Sequence, residues 1–158
     1  MPNKIDNGRR WLILKTVMAQ LAKIRRAEGY NLQPLVSMEA DEAVAWYEAD
    51  GTAALWVQPG DEVMEIEGPA GLHHCSLEIV VNGYVTRVDG ELNKRRESLL
   101  QDVRFCLANT VAEVRTQSGA GFLTFGDCEN DEGLLTEVNR AWFAQPVVYQ
   151  YPQGATEW

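Results

Sequence analysis

The chain has 158 residues, 46% of them hydrophobic and 23% charged. That balance excludes a disordered tail and fits one domain, residues 1–158, large enough to bury a core without disulfides or a structural metal. Its 23 acids and 14 bases give a net charge of -9, which argues against a general nucleic-acid binder, because neutralising phosphates takes a basic surface.

The cysteines, Cys75, Cys106 and Cys128, are odd in number and form no CxxC pattern, so a reducing compartment is expected. The opening MPNKIDNGRR leads into an apolar run already interrupted at Lys15. It is too short and too amphipathic for a signal peptide or a membrane span, and no membrane association is expected.

Across residues 8–28, Trp11, Leu14, Val17, Met18, Leu21 and Ile24 recur at helical spacing, with Arg9, Lys15, Gln20, Lys23 and Arg26 on the other faces. Gly29 stands where a left-handed terminal residue would end this helix, and Arg25 and Arg26 in its last turn complement the helix dipole. Pro34 interrupts residues 30–50, within which 38–47 reads as a short acidic helix ended by Gly51. Residues 52–58 form a strand, Pro59, Gly60 and Asp61 a turn, and 63–66 a second extended piece, together a hairpin-like excursion.

The most informative stretch comes next. Over residues 72–85, Cys75, Leu77, Ile79 and Val81 point one way and His74, Ser76 and Glu78 the other, as a half-buried strand requires. After a link containing Asp89 and Gly90, residues 93–115 gather Leu99, Leu100, Val103, Cys106, Leu107, Val111 and Val114 into one helical stripe. Strand and helix are predicted to pack through Leu77, Ile79, Leu99, Val103 and Leu107. Ser118, Gly119 and Gly121 end the helical pattern, residues 122–125 suit a short aromatic strand, and 127–133 form an acidic turn. Over residues 134–151, Phe143, Val147, Tyr149 and Tyr151 fall on one face and Trp142, Ala144 and Val148 on the other. Pro146 cannot donate to a ladder, which places that strand at a sheet edge or puts a bulge in it. The expected fold is α+β, a mixed or antiparallel sheet with two main helices packed on one face.

Candidate chemistry is sparse. His73 and His74 point to opposite sides of a strand; His73 and Cys75 share a side but have no spaced Cys/His pair to complete a tetrahedral site. Cys106 lies on an apolar stripe and reads as core, and the acidic neighbours of Cys128 would raise its thiol pKa. Acids cluster at Glu39, Asp41 and Glu42, at Asp61, Glu62, Glu65 and Glu67, and at Asp127, Glu129, Asp131 and Glu132. The last cluster lacks the glycine and distal glutamate of an EF-hand loop and reads as a solvated loop. Gly119-Ala120-Gly121 has no phosphate-binding frame, and no GxSxG, HExxH or P-loop occurs. Neither an enzyme nor a cofactor or metal is expected.

Five sequence words occur in order: LAKIRRAEGYN ending the first helix, AALWVQPGDE in an early strand, CSLEIVV, RRESLLQDVRFCLANTV, and AQPVVYQYPQG in the last strand. Together they resemble the tail terminator (tail completion) proteins of long-tailed bacteriophages and their prophage relatives, over nearly the whole chain. The resemblance implies an α+β fold that assembles into a hexameric ring at the head-proximal end of the tail tube. Such a ring stops tube polymerisation and gives the head and neck a docking surface. The implied partners are copies of the chain, the tail tube protein and a head/neck connector protein, with DNA passing through without specific binding. The implied location is the virion tail, after assembly in the bacterial cytoplasm. An acidic chain suits a lumen that must not grip phosphates, and Asp127, Glu129, Asp131 and Glu132 are the candidate acidic lumen or loop. An exposed terminal strand makes Trp142, Phe143, Val148, Tyr149 and Tyr151 the candidate inter-subunit seam. The alternatives are another neck protein, such as a head-completion or stopper ring, and a small acidic enzyme using the His73 to Cys75 region.

Overall fold

The computed structural model describes residues 4, 8–39, 53–67, 72–86, 91–109, 122–130 and 140–153. Two helices, α1 (Arg9–Leu21) and α2 (Leu92–Ala108), accompany strands β1 (Leu35–Ser37), β2 (Ala53–Glu67), β3 (Leu72–Thr86), β4 (Phe122–Phe125), β5 (Glu129–Asn130) and β6 (Arg140–Gln153). The six-stranded sheet has the order β1-β2-β3-β6-β4, with β5 also paired to β6. Strand β1 runs parallel to β2 and every other pairing is antiparallel. The fold is α+β with a mixed sheet and two helices. Among the described residues no helix is long and apolar enough to cross a membrane.

The period-two pattern of β3 decides which face is buried. Cys75, Leu77, Ile79, Val81 and Val85 are fully buried and join one core cluster with Leu55 and Val57 of β2, Phe143, Val147, Tyr149 and Tyr151 of β6, and the apolar stripes of both helices. Leu99, Val103 and Leu107 supply the α2 side, so the predicted strand and helix contact is present. The alternate residues of β3, from His74 to Tyr84, lie half-buried on the opposite face. Gly83 sits in the buried row between Leu55 and Phe143. A Cβ there would stand 2.2 Å from two carbons of the Phe143 ring, so the missing side chain is the space that the ring occupies.

Three sequence expectations are corrected. Helix α1 stops at Leu21, not at residue 28: tight turns carry Lys23 N–H to Gln20 O at 3.0 Å and Ile24 N–H to Leu21 O at 3.1 Å. These fold Ile24 into the core, and a separate 3₁₀ turn (Arg26–Glu28) follows, with Gly29 left-handed at φ 88°. Next, Pro59-Gly60-Asp61 is a bulge within one long strand, not a turn. Pro59 still faces Ile79 and Glu62 faces Leu77, so both halves keep their partner on β3 and the extra residue is absorbed locally.

Last, β6 is not an edge strand. It pairs with β3 along its length, with β4 from Val147 to Gln150, and with β5 at Phe143 and Ala144. Pro146 falls where β4 hands over to β5, and its carbonyl accepts the Gly126 N–H at 2.9 Å. N–H and C=O of one strand residue point the same way, so the donor that proline lacks faces this interruption and not β3.

The bulge of β2 is anchored to α1 and β6. Tyr151 OH donates to Glu62 Oε2 at 2.8 Å, Arg10 Nη1 approaches the same oxygen at 3.5 Å, and Arg9 Nη1 donates to Pro152 O at 3.0 Å. Burial, then the hydrogen bond and charge of Glu62, push the Tyr151 hydroxyl well above the ordinary tyrosine range.

Candidate interaction groove

On the solvent side of α2, residues spaced three and four apart put Glu97, Gln101, Arg104 and Phe105 along one wall of an open groove of about 730 Å³. The loop from Glu28 to Asn31 and Phe125 at the end of β4 also line it. Phe105 is 63% exposed and Phe125 42% exposed, large values for aromatic side chains. Tyr30 meets Phe105 edge-on, with ring centroids 5.9 Å apart and planes at 74°.

Two buried polar groups set these walls. Asp102, buried on α2, accepts three N–H bonds: Asn31 N–H at 3.1 Å and Asn31 Nδ2 at 2.8 Å to one oxygen, and Leu32 N–H at 2.9 Å to the other. That clamp ties the loop to the helix. On the other side, Gln145 is fully buried in β6. Its Oε1 accepts from Arg104 Nε at 3.0 Å, while its Nε2 donates to Gly126 O at 2.9 Å and Pro146 O at 2.8 Å. One side chain therefore joins α2 to the interruption between β4 and β5. Burial, the nearby Cys106 thiol and the carboxylates of Asp102 and Glu28 push the Tyr30 hydroxyl up to about 12.

None of the described lining residues is a serine, cysteine or histidine; they supply aromatic surface, a guanidinium and carboxylates.

The residues singled out in the sequence lie elsewhere. His73 and His74 are half-buried on opposite sides of β3, and Cys75 is fully buried near Tyr151. Among the described residues no group of three or more His, Cys, Asp or Glu side chains is placed to hold a metal ion. Cys106 is core, and its Sγ donates to Gln20 O at 3.2 Å. The Cys128 thiol is pushed up, as expected, but chiefly by burial; Glu97 adds to this and Arg104 opposes it. Of the proposed seam, Phe143, Tyr149 and Tyr151 are core residues, the Tyr149 and Tyr151 rings stacking 6.1 Å apart. Only Trp142 and Val148 lie on the face away from the helices. Asp127 and Glu129 are exposed beside β4 and β5, whereas Asp131 and Glu132, the helix at 40–47, and Val111 and Val114 lie outside the described residues.

Sequence reasoning missed Phe105, Tyr30, Phe125 and Gln145 as a group. One signal was available, since Phe105 falls beside Arg104 outside the apolar stripe of its helix. No protein-family model matches the chain, and no curated protein matches it.

Proposed function

We propose that the chain is a structural protein of a long phage tail: a terminator that forms a ring, hexameric by the family resemblance, at the head-proximal end of the tube, stops its polymerisation and receives the head and neck. The observation that carries this reading is the two-sidedness of the sheet. Both described helices cover one face, and the other presents Trp56, Tyr84, Val80, Pro146, Val148 and Trp142, the last of them 39% exposed. A sheet face of that character is suited to a neighbouring subunit. The seam is therefore assigned to this face through Trp142 and Val148, and no longer to a free edge of β6. The net charge of -9 supports a channel that lets DNA pass without holding its phosphates. The partners on this reading are further copies, the tube protein and a head/neck connector, with no cofactor and no chemistry, and the protein resides in the virion tail.

Electron microscopy of particles assembled without the chain tests it. Tails of uncontrolled length that fail to join heads are expected; tails of normal length joined to heads would end the terminator reading. Tails of normal length that stay headless would favour a head-completion or stopper ring instead.

A further inference from the structure

We draw no further inference here: the strongest candidate, the basic surface patch where Arg26 of the turn after α1 comes close to Arg95 near the start of α2, carries nothing, because it is a side-chain cluster at a helix N-terminus and nothing in the structure shows what covers it.

Discussion

Arg104 and Gln145 form a bond between an exposed helix face and the buried interior of the sheet: the guanidinium Nε donates at 3.0 Å to an amide oxygen whose own NH₂ holds Gly126 O and Pro146 O. A fully buried glutamine is tolerable only when each polar atom is met. Gln145→Leu should leave the two carbonyls without this donor and cost about 2–4 kcal/mol, read as a fall in the urea midpoint. Arg104→Ala, at an exposed position, should cost about 1 kcal/mol, and the double variant should cost less than the sum. Strict additivity would show that the bond does not couple helix and sheet.

Gly83 offers a sharper test of packing. Its neighbour is a ring and not a flexible chain end, so the 2.2 Å approach of an added Cβ to Phe143 cannot be relieved by a small rotation. Gly83→Ala should cost about 3 kcal/mol. Adding Phe143→Leu should recover part of that loss, and a double variant no better than the single would place the strain elsewhere.

Two successive residues of α2 show what burial asks of charge. Asp102 is buried as a carboxylate because three N–H groups meet it, whereas Val103 is fully buried among apolar side chains. Val103→Asp should therefore cost several kcal/mol by placing a carboxylate without donors in the core. Cooperative unfolding of that variant at the wild-type midpoint would contradict the central contact.

The contrast also explains what could be read in advance. Periodicity located β3, the apolar stripe of α2 and the buried row of β6, because burial imposes a period on each element by itself. The bulge at Gly60, the early end of α1 and the interior place of β6 escaped, since each depends on which strand or core residue lies opposite. Pro146 pointed to an edge strand or a bulge in its own strand, whereas β6 is interior and the interruption lies beside it, between β4 and β5. The groove was hidden for the same reason: Phe105, Tyr30 and Phe125 come from three separate elements, and the burial of Asp102 depends on Asn31 and Leu32, which are about 70 residues away in sequence.

Alkaline pH should weaken the fold through its tyrosines. An unfolded tyrosine ionises near about pH 10, whereas Tyr30 is pushed up to about 12 and Tyr151 is pushed up as well, by burial and by Glu62. Above about pH 10 the unfolded chain therefore sheds protons that the native chain retains, so unfolding becomes easier as pH rises. The stabilisation is complete below about pH 10 and is lost progressively through about pH 12. Melting temperatures across that range should fall, less steeply in Tyr151→Phe. An unchanged slope in that variant would exclude Tyr151 from the effect.

Val148→Lys tests the ring and its assigned face together. Val148 stands between Glu78 of β3 and Thr124 of β4, on the side of the sheet away from both helices. A lysine there meets water and a cross-strand carboxylate, so the fold should survive with its melting temperature changed by only a few degrees. Within a seam the same lysine would be desolvated, and assembly should fail. Copies that each carry a net charge of -9 repel one another, and salt screens that repulsion, so the parent ring should strengthen as ionic strength rises. Sedimentation of the variant should give folded monomers at concentrations where the parent chain forms rings, and tails assembled with it should be abnormally long. A wild-type ring from Val148→Lys would remove this face from the seam. A parent chain that stays monomeric at every salt and protein concentration, in particles whose tails are nevertheless of normal length, would remove the ring itself.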